Sequence, residues 1–402
     1  MNNLLRFGLL VLVLFATIIV SCNKDNDVEP EPPMVEVPDP DTTTNVVDTM
    51  TNTGTVTDTM TMDTTVTSVT EDVNIENLLA NQVNELVIPT YETYQEKMGG
   101  LLSATETFVG ALNNDNLTAV KTAYSEAYLA YQAAGVHNYY ATANLDLVNT
   151  TNLYPINVEI LEELIANESY IFNTISHQRA NGFPALDYFL YGLEDPVATF
   201  TNDAKAATFL LELVKSMDAK ANALVDRWTG NLRANFIGNG GVALGSSVSV
   251  QLNETLIYYE QNIRGNKVGI PIGRLGPNDT PFDADGTKIE SYYRSLQEGN
   301  DSYSLLLLRA SIQEMEEIYL GTTSAGEDGI GYEDLLISIE QASIDADIKA
   351  QYQAIYDAID NRGSIVGDDT LYLAIQELVT LYKSDLFPAL NVQDADGAND
   401  GD

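Results

Sequence analysis

From Val73 to Leu390 the apolar residues of this 402-residue chain recur at helical spacing, and strand-like alternation is nearly absent. This one feature removes most fold classes. A stripe that returns every 3.6 residues buries one side of a helix, whereas a half-buried strand needs a period of two. Tyr124, Tyr128 and Tyr131 stand at i, i+4 and i+7, with Ala127, Ala130 and Ala134 as small neighbours and Gly135 as the stop. Asn157 follows Pro155 in N-cap position and precedes Ile160, Leu161, Leu164 and Ile165 on one side of a helix. Residues 302–321 read as a long helix ending at Gly321, residues 332–359 as two helices and residues 369–386 as the last. The aromatic stripes read as core. The expectation is an all-α body.

One stretch interrupts the period. Residues 230–250, rich in Gly, Asn and Ser, separate two helical halves of single-domain size, 74–229 and 251–392. They read as a connection between bundles. Their "GNGG" is not a phosphate loop, because no Gly-Lys-Ser/Thr follows.

The ends have a different character. Residues 1–22 read as a signal peptide: Arg6 gives the positive start, and the apolar run from Phe7 to Val20 is short for a membrane span. Ile19-Val20-Ser21-Cys22 resembles a bacterial lipobox, with Ile19 where leucine is usual. Cys22 is the only cysteine, which suits a lipidation site and leaves no internal disulfide. The lysine and acids that follow resemble the export signal of surface-exposed lipoproteins, so the expected place is the cell-surface side of an outer membrane, lipid-anchored rather than spanning. Residues 23–73 read as a disordered stalk, since 14 threonines and few large apolar groups between 42 and 70 cannot offset chain entropy. Four Asp-Thr-X triplets there resemble O-glycosylation acceptors, at Thr42, Thr49, Thr59 and Thr64. Residues 393–402 read as an acidic tail.

Charge and residue types narrow the chemistry. The helical body keeps 43 acids against 17 bases, which argues against nucleic acid or an acidic membrane face as partner and favours attraction of cations. There are two histidines, His137 and His177, and no HExxH or GxSxG. Glu159, Glu162 and Glu163 share a helix face and could hold a hard cation, although on so acidic a chain such a face is ordinarily just solvated. Any chemistry must rest on carboxylates, tyrosines and at most two imidazoles.

Several blocks occur in a recognisable order: "AYSEAYLAYQAAG", "NLYPINVEILEELIAN", "GFPALDYFLYG", "RGNKVGIPIGRLG", "KIESYYRS" and a long helix ending "EIYLG". Together they resemble the imelysin-like proteins, also catalogued as M75 peptidases, over about residues 74–392. The resemblance implies two up-and-down helical bundles, related by duplication, with a cleft between them. It also implies a link to iron uptake or a peptidase label. The family signature GxHxxE reads here as Gly182, Pro184 and Asp187, so the histidine is lost to a proline that cannot ligate metal. Asp187 is either the surviving functional acid or a helix-start carboxylate. Its expected partners are Arg264, Lys267 and Arg274, while Glu290 opens the next block; these charges either bridge the bundles or grip a ligand anion. His177 with Asp187 is the remaining metal candidate, and iron or another divalent metal is not favoured. Residues 182–192 are expected to form a short helix at the bundle contact, with Pro184 in its first turn, Asp187 near its start, and Phe183, Leu186 and Leu190 buried.

The leading functional reading is a lipoprotein that binds a small ligand, peptide or metal in the cleft, with a role in iron or nutrient uptake. A metal-dependent peptidase and a surface interaction module are the alternatives. Replacing Cys22 with serine is expected to release the protein from the membrane fraction or to block its maturation. Fractionation with unchanged membrane association contradicts the anchor.

Overall fold

In the computed structural model, which describes residues 73–142, 145–153, 155–172, 174–275, 303–323 and 325–395, helices begin where short polar side chains can cap them. Asn74 accepts from the Asn77 N–H at 2.9 Å and opens α1 (Ile75–Asn81). A π-helical segment, Gln82–Val87, carries the chain into α2 (Ile88–Gly110). Asn113 caps α3 (Asn114–Ala134), Asp146 caps α4 (Leu147–Thr151), and Asn157 caps α5 (Val158–Ala166), as its position after Pro155 led one to expect. Then follow α6 (Gly182–Asp187), α7 (Pro196–Asn202) and α8 (Ala204–Arg227), the last two capped by Asp195 and Asp203. The second half comprises α9 (Arg233–Gly238), α10 (Ser247–Tyr258), α11 (Tyr303–Leu320), α12 (Tyr332–Ser338), α13 (Ala342–Asp360), α14 (Thr370–Leu381) and α15 (Phe387–Ala389). No strand occurs among the described residues. The structure is all-α, as the spacing predicts.

The stretch 230–250 departs from its reading as an aperiodic connection, because α9 and the first turn of α10 lie within it. Packing outweighs local composition here. Phe236 is buried edge-on against Trp228, the only tryptophan, at 5.5 Å between ring centroids. Cys22 and the four threonines lie outside the described residues, as does Glu290.

The helices from Ser68 onward form one compact unit. α2 packs on α3 and α8, α11 packs on α3, and α13 packs on α14. Polar side chains sewn through the core hold early and late helices together. Gln82, fully buried in the π segment, donates to the Ile318 carbonyl at 2.9 Å and accepts from Gln251 at 2.9 Å. Tyr332 donates to the Gln251 side-chain oxygen at 2.7 Å. Asn81 donates to the carbonyls of Gly321 and Ile330, at 2.8 and 3.1 Å. Each of these groups would cost free energy if buried without its partner.

The signature helix forms with Pro184 in the first turn and Phe183, Leu186 and Leu190 all fully buried, but it packs on α4, α8 and the 3₁₀ turn Ile175–Ala180 of the first half rather than at the expected bundle contact. Phe183 meets the tyrosine stripe of α3, at ring-centroid distances of 5.9, 4.7 and 5.3 Å from Tyr124, Tyr128 and Tyr131. The helix continues as a π segment, Tyr188–Gly192. Asp187 therefore sits mid-helix, buried, rather than beside the helix start where the dipole is strongest. Gly182 explains itself. Its φ is +67°, and a Cβ there would lie 1.9 Å from the Thr151 carbonyl oxygen. Gly182→Ala must push backbone away from backbone, so a loss of about 3 kcal/mol or more is expected in chemical denaturation. A loss below about 1 kcal/mol contradicts this packing.

Candidate functional site

A cavity of about 590 Å³ opens between residues 138–179 of the first half and 254–270 of the second. Its lining is unusual in being rich in carboxamides: Asn138, Asn149, Gln261, Asn262 and Asn266 contribute, with Asn152 beside them. Carboxamides both donate and accept hydrogen bonds without titrating. Arg179 and Glu254 bring the charge, one from each half. Burial pushes the Glu254 carboxyl up, partly offset by the N–H of Tyr140, which donates to it at 3.0 Å.

Tyr140 marks this wall as a place of stored strain. Its φ is +52°, a left-handed conformation that a bulky residue adopts only when its surroundings enforce it. Two contacts enforce it: Glu254 holds the N–H, and Arg227 donates to the carbonyl at 2.7 Å. The turn follows His137, and α10 presents Glu254 opposite.

Behind this wall lies a buried polar cluster. His137 is fully buried, and both ring nitrogens are engaged, Nε2 with Glu314 and Nδ1 with the Tyr139 hydroxyl at 3.3 Å. Thr90 donates to Glu314 at 3.0 Å, Thr255 donates to Tyr139 at 2.8 Å, and Tyr91 donates to the His137 carbonyl at 2.5 Å. His137 ties α11 to the end of α3. One turn on, Glu317 is buried and accepts from Gln313 at 2.7 Å. Burial and then the neighbouring Glu314 charge push its carboxyl up to about 7.

The residues singled out from sequence are dispersed. Arg264 donates to Gln376, Lys267 to Gln132, and Arg274 to Asp369 at 2.6 Å. The expected bridge from one of these bases to Asp187 is therefore not formed. For Arg264 and Lys267 the reason is the π-helical segment Tyr259–Gly269, whose wider i→i+5 turns rotate each residue by less than the about 100° of an α-helix. Residues 264 and 267, near neighbours on an α-helical face, diverge on this one. Lys267 becomes half-buried against α3, and burial pushes its ammonium down to about 7. Pro184 is buried in the position of the signature histidine and offers no donor atom. His177 lies in the 3₁₀ turn Ile175–Ala180, where Nδ1 donates to the Ile171 carbonyl at 2.8 Å. Among the described residues no group of three or more His, Cys, Asp or Glu side chains is placed to hold a metal ion. Glu159, Glu162 and Glu163 point to solvent. Among the described residues the donor set at the signature helix does not fit the metal that the signature implies.

The imelysin family model, described as Peptidase M75, matches residues 87–381. The chain belongs to the imelysin family. Two solved structures share the fold of this imelysin. One is described as an iron-regulated protein A precursor from Parabacteroides distasonis, with 17% identity, a TM-score of 0.64, and coverage of 79% of this chain and 95% of that one. The other is an imelysin-like protein from Psychrobacter arcticum, with 15% identity, a TM-score of 0.61, and coverage of 80% and 98%. No match was found among curated proteins.

Sequence reasoning passed over Glu254, Arg179, Glu314 and Glu317. The available signal was weak: acids interrupting apolar helices, "QLNETLIYY" and "IQEMEEIYL". Because Glu317 holds a proton in the folded state that the unfolded chain has released above about pH 4.3, it weakens the fold as pH rises through about 7. Glu317→Gln is expected to stabilise this imelysin by about 1–2 kcal/mol at pH 8, with the gain shrinking toward pH 4. Urea denaturation across pH checks it, and a gain independent of pH contradicts the raised carboxyl.

Proposed function

We propose that this imelysin is a lipid-anchored surface protein that binds a polar ligand in the carboxamide-lined cavity between its halves. The observation that carries the reading is that cavity, with Glu254 and Arg179 facing it from opposite halves and a strained Tyr140 in its wall. Paired donors and acceptors along the wall complement a ligand with the same alternation, such as a short peptide. Glu254 suits an ammonium on that ligand and Arg179 a carboxylate. No helix among the described residues is long and apolar enough to cross a membrane. Attachment through Cys22 and surface exposure belong to this proposal, as does glycosylation of the stalk. A place in iron or nutrient acquisition rests on the relative described as iron-regulated.

The family name favours a second reading, a metal-dependent peptidase. It needs a metal, and the described residues at the signature helix do not bring together a set of ligands. One experiment separates the two. The purified protein is incubated with a tryptic peptide digest, and the retained peptides are identified by mass spectrometry. Retention is expected, and a Glu254→Gln, Asn262→Leu double variant with an unchanged circular dichroism spectrum should bind the recovered peptides at least about tenfold more weakly. Equal binding by the variant rejects the cavity. Chelator-sensitive cleavage of the digest turns the assignment to the peptidase.

A further inference from the structure

We propose that the second half holds a separate site for the carboxylate of a small organic acid with an apolar body, built on Arg264. A second cavity, of about 610 Å³, lies between the π segment Tyr259–Gly269 and α14 with its π-helical continuation, Tyr382–Leu386. Arg264, Arg274 and Lys383 all line it. It takes nothing from the first half and shares no lining residue with the carboxamide cavity.

The three cations are not equivalent. Lys383 pairs with Glu260 at 3.1 Å. Arg274 pairs with Asp369 at 2.6 Å and lies over the Tyr372 ring, 5.1 Å from its centroid. Among the described residues Arg264 has no such carboxylate. It is only 8% exposed, one terminal nitrogen donates to the neutral Gln376 side chain, and its Nε is buried with no hydrogen-bond acceptor. A buried guanidinium that lacks both a counter-charge and one of its hydrogen bonds is costly. An oxyanion in the cavity removes both deficits at once, because the planar guanidinium matches a carboxylate with two parallel hydrogen bonds.

The rest of the lining decides which anion. The lining is divided: Leu275, Leu373, Val379 and Tyr372 form an apolar and aromatic side, with Leu373 52% exposed at the surface, while Gln376, Thr380 and Ser384 are polar and Glu260 is taken up by Lys383. The apolar side suits the hydrocarbon body of a carboxylate and adds nothing to the binding of a fully hydrated inorganic ion. The acidic surface supplies no long-range attraction for anions, so selection rests on short-range contact with Arg264.

The test uses the full chain, with hexanoate as probe and hexanamide and inorganic phosphate as comparators, in calorimetric titrations at constant ionic strength. Saturable hexanoate binding is expected, with neither comparator binding measurably. Arg264→Met should weaken hexanoate by at least about tenfold. Should that variant fail to fold, Leu373→Glu keeps the question open to test, since it alters only an exposed wall and sets a negative charge beside the site; it should abolish hexanoate binding while the circular dichroism spectrum stays unchanged. Absence of saturable hexanoate binding overturns the proposal, as does equal binding by a folded Arg264 or Leu373 variant. Phosphate binding tighter than hexanoate overturns the assignment to an organic acid. None of these results bears on peptide retention in the other cavity.

Discussion

The arrangement of this protein depends on buried polar side chains that must be satisfied across large sequence separations. Gln82 reaches Ile318 and Gln251, Gln251 reaches Tyr332, and His137 reaches Glu314. Apolar helices alone slide against one another at little cost, because hydrophobic contact is not directional. A carboxamide or imidazole at zero exposure does not tolerate such a slide, since a lost hydrogen bond strands a desolvated group. These contacts therefore set the register of α1, α3, α10, α11 and α12 against each other. The same register sets Glu254 of α10 against the turn after His137, and both stand in the wall of the carboxamide cavity.

The π-helical segments are the second determinant. Five occur among the described residues, and one is eleven residues long. Each widens the helix locally and changes which residues share a face, a feature often found at functional positions. In Tyr259–Gly269 the effect is to send Lys267 toward α3 and Arg264 toward α14. One run of sequence thereby serves two regions of the molecule. The segment also carries Glu260, Asn262 and Asn266, so both cavities draw on it.

Electrostatics separates these regions further. The protein is strongly acidic, yet its buried charges are a mixture of raised carboxyls and lowered ammoniums, with burial the leading cause for Glu254, Glu317, Lys220 and Lys267. The surface acids govern solubility and long-range repulsion. The buried groups respond instead to the few atoms around them. The state of each buried charge is accordingly set by partners within hydrogen-bond reach rather than by net charge.

The helical class, most helix ends and the buried face of the signature helix were determined by sequence alone, because they are local. The period of Tyr124, Tyr128 and Tyr131, the cap at Asn157, the stop at Gly321 and the first-turn Pro184 each act within a few residues. The family resemblance was legible for the same reason, as short blocks in a set order. What only the tertiary structure decided is where the charges went. Helical spacing assumes 3.6 residues per turn, and the π segment breaks that assumption just where Arg264 and Lys267 stand. The partner of a buried acid or base is chosen by helices far along the chain, as Glu314 is for His137 at a separation of 177 residues, and no pattern within either helix encodes that choice.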